Sequence, residues 1–205
     1  MPFDTFYRLK KDKQMRIIDA IIDEMALHSY EHITISNIVR QANIPRGSFY
    51  QYFSGTADLF EFMYHYIAKL KMAYMEPLLS RNEDSPFLDR FLELYMLGIQ
   101  FAKDHPRLMA VGQKMVVSDY YKTNDYIRKG NDMAISLFQS MIESDQKKGT
   151  IRPEIDPTLL AKMLLETLTR LSIDYVDQNN DLFNNLEKAV RQMVDILKKG
   201  IEPHV

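Results

Sequence analysis

The sequence predicts an all-α fold of about nine helices, on three observations. Glycine occurs only 7 times in 205 residues, about half the usual ~7%, which disfavours the turn-rich grammar of β-sandwiches and any Gly-rich phosphate cradle. Apolar residues recur at three- and four-residue spacing through most of the chain, the period of a helix with one buried face. Pro, Asn and short polar runs interrupt that pattern at helix-length intervals, with no low-complexity stretch and no repeat of ~30–45 residues that would mark a solenoid. The absence of cysteine excludes disulfides, thiolate metal sites and a Cys nucleophile, and a reducing cytoplasm is the expected compartment.

Residues 10–28 place Ile18, Ile21, Ile22 and Met25 on one face and predict the first helix. Thr34 suits the cap of a short second helix carrying Ile38, Val39 and Ala42, because its hydroxyl can accept from a free backbone N–H. Asn43 stands where the chain must turn and tolerates a left-handed conformation. Pro45 fits the first position of a third helix, Arg46 to Tyr52, with Phe49 and Phe53 as its inward edge. A long fourth helix follows over Ala57 to Leu79, with Leu59, Met63, Tyr66, Leu70 and Tyr74 in a stripe and Pro77 near its end. Beyond a break at residues 82–86, a fifth runs to Lys103 with Leu88, Phe91, Leu92, Tyr95 and Ile99. A shorter sixth begins at Arg107. A long seventh spans Asp119 to Lys148 and stops at Gly149. An eighth starts at Pro157 after Asp156, and a ninth covers Leu182 to Lys199.

The informative block is Thr34 to Phe53: helix, tight turn, short helix. The exposed residues expected on the short helix are Arg46, Ser48, Tyr50, Gln51 and Tyr52. Such a helix fits the major groove of duplex DNA, where base edges differ for every pair. Arg46 can fork onto guanine, Gln51 can pair with adenine, and hydroxyls suit phosphates. Gly47 lets backbone approach backbone. Charge supplies an independent sign: His32 to Ala57 contains no acid, where the average density would put about three or four in 26 residues. Residues 1–55 hold 7 basic and 6 acidic side chains inside a chain of net charge −2. By residues alone, an ordinary three-helix subdomain is the competing reading.

The run Thr34-Ile-Ser-Asn-Ile-Val-Arg-Gln-Ala-Asn-Ile-Pro-Arg-Gly-Ser-Phe-Tyr-Gln-Tyr-Phe53, followed by Asp58-Leu59-Phe60, resembles the DNA-binding signature of the TetR (tetracycline-repressor-like) family of bacterial regulators. The likeness covers about the first 60 residues. It implies an N-terminal helix-turn-helix domain, residues 1–55, and an effector-binding and dimerisation domain, residues 56–205. It also implies that Thr34 and Ser36 approach phosphates and that Arg46, Gly47, Ser48, Tyr50, Gln51 and Tyr52 form the docking surface, with Phe49 and Phe53 as buried anchors. Two positions depart from the pattern: Asn43 replaces the usual turn glycine, and Thr56 stands where many members carry a phosphate-binding lysine. The second departure predicts a shallower salt dependence of DNA affinity.

The resemblance further implies that the last two helices pair with their copies in a homodimer. Leu186, Val190, Met193 and Leu197 are a compatible seam, repeating near 3.5 residues; the alternative is a seam facing the chain's own core. Helices four to seven would enclose a site for a small, largely apolar or aromatic effector, with Met63, Tyr66, Tyr74, Tyr95, Met109, Met133 and Phe138 as candidate lining residues. A Met or Tyr at helical spacing is nevertheless more often plain core. No Glu-x-x-His pair, His-Glu-x-x-His or Gly-x-Ser-x-Gly occurs, so no catalytic residue, metal site or cofactor is expected. No signal-peptide core opens the chain, and no apolar run approaches the ~20 residues of a membrane span. The expected function is a cytoplasmic DNA-binding transcriptional regulator, a repressor that holds an inverted-repeat operator and leaves it when effector binds. The alternative is a helical protein-interaction module that keeps the shape without reading DNA.

Overall fold

The computed structural model describes residues 1–81, 85–174 and 182–201. Among them are eleven α-helices and no strand: α1 (Asp4–Tyr7), α2 (Lys11–Leu27), α3 (Ile35–Gln41), α4 (Arg46–Tyr50), α5 (Thr56–Leu79), α6 (Phe87–Asp104), α7 (Pro106–Val117), α8 (Asp119–Thr123), α9 (Asp125–Lys148), α10 (Pro157–Asp174) and α11 (Leu182–Ile201). A 3-10 turn at Tyr30–His32 joins α2 to α3. Residues 82–84 of the expected break lie outside the described residues.

The all-α expectation holds, with two corrections to the helix count. The short α1 has no apolar period to announce it. The single helix expected over 119–148 is two, for a local reason. The Ser118 hydroxyl accepts from the Tyr121 amide at 3.2 Å and the Asn124 side chain accepts from the Ile127 amide at 3.1 Å. Each supplies an acceptor for a helix-start N–H that has no intrahelical partner.

By packing, the chain forms two compact units, residues 1–72 with 104–128 and residues 73–103 with 129–205. In the first, α2 packs against both α3 and α7. Its Ile17, Ile21 and Met25 are buried, as expected for a 3.6-residue period, together with Ile38 from α3 and Val111 from α7. Phe6, Phe53 and Phe62 meet at ring centroid separations of 5.1–5.6 Å. At the start of α7, Arg107 reaches Asp19 at 3.3 Å and Asp23 at 2.5 Å on α2. These groups are half exposed, so the pair adds at most about 1 kcal/mol. Tyr120 stacks on Tyr30 at 4.6 Å and donates to Glu61 at 3.3 Å. Burial, with Glu61 beside it, pushes the Tyr120 hydroxyl above its ordinary range.

In the second unit, Phe87, Leu88 and Phe91 of α6 share a core with Ile142, Leu160, Ala161, Leu164, Val194 and Ile201. The buried Asp145 carboxylate accepts from the Phe87 amide at 2.6 Å, which satisfies the start of α6. One continuous helix, α5, contributes residues to both units. Its Pro77 lies in the last turn, and the helix runs two residues past it.

Candidate nucleic-acid interface

The tight turn between α3 and α4 rests on Asn43, whose φ of 51° is left-handed. Asn tolerates that region where most side chains collide with their own backbone. Ala42 donates to Ile38 and the Ile44 amide to the Val39 carbonyl at 3.0 Å, so the chain reverses without orphaned backbone groups. Pro45 sits one residue ahead of its expected place, as the residue preceding α4 rather than the first within it. Ile38, Ile44 and Phe49 are all buried on the inner side.

The outer side carries the residues expected to meet DNA. Arg46, Gly47, Tyr50 and Gln51 are exposed and Ser48 is half-buried. Arg46 donates through Nη1 to the Ser36 hydroxyl at 2.7 Å. That contact restrains a long side chain at the mouth of the turn, lowering the entropy lost when the guanidinium meets a base or phosphate. It also leaves the Ser36 proton free for a phosphate oxygen. Nothing lies within 4 Å of where a Gly47 side chain would begin, so the fold itself does not require glycine there. Replacing Gly47 with Ala is expected to leave the melting temperature unchanged or raise stability by up to about 1 kcal/mol, while weakening operator binding at least about tenfold. Thermal melts beside anisotropy titrations check this; unchanged DNA affinity would remove Gly47 from the interface.

Two expected contacts need correction. Thr34 does not cap α3 with its side chain. Its amide and hydroxyl both donate to the buried Glu24 carboxylate, at 2.8 and 3.0 Å, and Asn37 adds a third donor at 3.3 Å. A carboxylate 2% exposed must be satisfied in this way, and the hydroxyl proton that a phosphate would need is thereby committed. Asn37 in turn accepts from Arg40 at 2.9 Å, so the network also orients that exposed cation. Tyr52, expected on the docking surface, is only 5% exposed. The N-terminal segment covers it: Phe6 lies against its ring at 6.2 Å, Lys13 stands over the ring at 5.6 Å, and its carbonyl accepts from the Phe3 amide at 2.9 Å.

The dimer seam is corrected as well. Leu186 and Val190 are buried in the chain's own core with Ile99, and Met193 and Leu197 pack onto the same second-unit core. The stripe on α11 is therefore internal. Among the described side chains of these helices, the exposed large apolar ones are Leu159 and Met163 on α10 and Ile196 on α11, at 57%, 53% and 66% exposure.

The effector candidates divide between the units. Met63 is fully buried in the first. Phe138 packs on Phe87 and Phe91 in the second, and Met133 points to solvent at 74% exposure. Tyr66 and Met109 in the first unit, and Tyr74 and Tyr95 in the second, are half-buried. Burial raises the pKa of the Tyr66 hydroxyl, with Asp19 adding to the effect, so it remains a hydrogen-bond donor at neutral pH. Among the described residues, no group of three or more His, Asp or Glu side chains could hold a metal ion, and no helix is long and apolar enough to cross a membrane.

An acid-free face on a short helix, held at a fixed angle by a seven-residue partner and carrying a braced arginine beside a bare glycine, is built to enter a groove. In its geometry this is a helix-turn-helix DNA-binding protein. The model for bacterial regulatory proteins of the tetR family matches residues 17–63. The chain is 25% identical over 175 residues to the HTH-type transcriptional regulator YhgD of Bacillus subtilis (strain 168), covering 83% of this chain and 88% of that one. A TetR family transcriptional regulator from Chloroflexus aurantiacus J-10-FL superposes with a TM-score of 0.75 at 26% identity, covering 100% of both chains. The transcriptional regulator FadR from Bacillus subtilis, solved in complex with stearoyl-CoA, has the same fold at a TM-score of 0.73 and 18% identity, covering 88% of this chain and 96% of that one. Residues 17–63 thus carry the match to the tetR family, and over its length the chain is similar in sequence and fold to TetR family transcriptional regulators.

Proposed function

We propose that the protein is a cytoplasmic homodimeric repressor that grips an inverted-repeat operator through two copies of α4 and releases it when a small, largely apolar molecule binds. The observation that carries the reading is the α3–α4 face, with Arg46 braced on Ser36, Gln51 exposed and no acidic side chain from residue 32 to 57. The residues expected to meet DNA are Ser36, Arg46, Gly47, Ser48, Tyr50 and Gln51. A single helix of five residues buries too little to bind tightly alone, and a two-fold axis doubles every contact. Leu159 and Met163, four apart on α10, and Ile196 on α11 are the residues we assign to the dimer contact, in place of the internal seam. A second copy covering them would take these apolar side chains out of water.

For the effector, the stearoyl-CoA bound by the Bacillus subtilis regulator supports a long apolar ligand. Within the second unit, Tyr74 and Tyr95 are the half-buried candidates to meet it, while Met63 and Phe138 serve as core. Because α5 belongs to both units, a ligand that shifts this helix can shift what precedes it. The test is a titration of the protein–operator complex with long-chain acyl-CoA, a γ-butyrolactone and a steroid, read by fluorescence anisotropy. At least one is expected to weaken operator affinity by about 5- to 150-fold, the range of typical coupling energies. Release by polar metabolites alone, with none by the apolar panel, would contradict the assignment.

A further inference from the structure

The N-terminal segment has a structural role that its sequence conceals. It closes the end of the recognition helix. The carbonyls just past the end of an α-helix have no partner within it, and here residues 3 and 5 donate to two of them. The Phe3 amide donates to the Tyr52 carbonyl at 2.9 Å, and the Thr5 hydroxyl donates to the Gln51 carbonyl. Phe6 anchors the segment by packing on Tyr52, Phe53 and Phe62. From the other side, Gln14 on α2 donates to the Phe6 carbonyl at 2.8 Å. Residues 3–14 are thus clasped between the end of α4 and the start of α2.

This clasp sets a cluster of cations beside the reading helix. Arg8, Lys10, Lys11 and Arg16 are exposed, and Lys13 lies over the Tyr52 ring at 5.6 Å. Against these five stand Asp4 and Asp12, and Asp4 lies 4.0 Å from Arg8. Arg8 has Asp4 beside it, and Lys10, Lys11, Lys13 and Arg16 carry the excess. A helix seated in the major groove has phosphate strands as its walls, and an element fixed to one end of that helix meets a wall.

We propose that residues 3–13 are a second DNA-contacting element, in which Lys10, Lys11 and Lys13 grip the phosphate backbone beside each half-site and supply the charge that a lysine at position 56 would give. The proposal rests on the regulator reading above. The contact is independent of sequence, because phosphates carry none. It replaces the shallow salt dependence expected from Thr56 with a steeper one that originates in the N-terminal segment.

The test measures the affinity of the full-length protein for a selected inverted repeat between 50 and 300 mM salt. It compares wild type with the double variant Lys10→Gln/Lys11→Gln, with Lys13→Gln, and with the remote control Lys199→Gln. Each phosphate contact contributes a slope of about 0.9 in log K against log salt, and each lysine counts once per half-site. The double variant is therefore expected to lose about 3–4 from the slope, equally on specific and mismatched operators, with an unchanged thermal melt. Lys199→Gln is expected to leave the slope unaltered. Because Lys13→Gln can also loosen Tyr52, the double variant at two exposed positions decides. If wild type binds the repeat and the double variant keeps the wild-type slope, this inference is overturned while the regulator reading stands. If wild type binds no inverted repeat, both fall.

Discussion

Replacing Arg46 and Gln51 together with alanine is expected to reduce operator affinity by at least about 30-fold and to abolish discrimination between operator and random DNA, with the fold and the dimer intact. A bidentate contact between a side chain and a base edge is worth about 1–3 kcal/mol of discrimination. A two-fold symmetric complex counts each contact twice, so even one lost pairing costs about 2–6 kcal/mol, a factor of about 30 to 10⁴. The fold should not notice. Both side chains are exposed, and the Arg46–Ser36 hydrogen bond is a surface contact worth about 1 kcal/mol or less. Anisotropy titrations against operator and scrambled duplex, beside sedimentation and thermal melts, check all three statements. Retained discrimination in the double variant would show that α4 does not read the bases through these residues.

The second large effect separates two faces of α11. Ile196→Asp, at a position 66% exposed, is expected to leave each chain folded but convert a dimer to monomers at ~10 µM, because a carboxylate at the middle of an apolar contact must be desolvated without a partner. Val190→Asp, four residues into the internal stripe and fully buried, is expected to unfold the chain, since several kcal/mol of uncompensated charge consumes much of the ~5–15 kcal/mol that stabilises a domain. Sedimentation velocity and circular dichroism distinguish the outcomes. A folded Val190→Asp monomer beside an unaffected Ile196→Asp dimer would restore the Leu186–Leu197 seam as the interface.

That reversal on α11 shows what can be read from a sequence of this kind and what cannot. Spacing of apolar residues located the nine expected helices within a residue or two at most ends, apart from the division at Asn124, because burial on one face imposes a 3.6-residue period whatever covers the face. The period does not say what the cover is. Leu186, Val190, Met193 and Leu197 make the same pattern against α6 and α10 as they would against a second copy. The informative signal was weaker: on α10, Leu159 and Met163 lie off the buried face of Leu160, Ala161 and Leu164, apolar where a solvated helix would be polar.

At the interface, the outward positions of Arg46, Gly47, Tyr50 and Gln51 and the left-handed Asn43 were legible, since each follows from local backbone requirements. The burial of Tyr52 and the engagement of Thr34 by Glu24 were not. Both depend on partners distant in the chain: Phe6 lies 46 residues before Tyr52, and Glu24 sits on a helix whose period alone would have placed an apolar residue there. The aromatic residues Phe3 and Phe6 among the first nine residues were the available hint that this segment packs onto something.

The central claim is that two copies of α4 read a symmetric DNA site, and selection of genomic fragments with the purified protein at moderate salt, followed by sequencing of the retained pool, tests it most directly. The account predicts one enriched motif that is an inverted repeat, with half-sites on one face of the duplex and centres about 34–36 Å apart or a multiple of it, depleted when Arg46→Ala/Gln51→Ala protein is used. Retention of fragments sharing no motif, or a motif without two-fold symmetry, would contradict it.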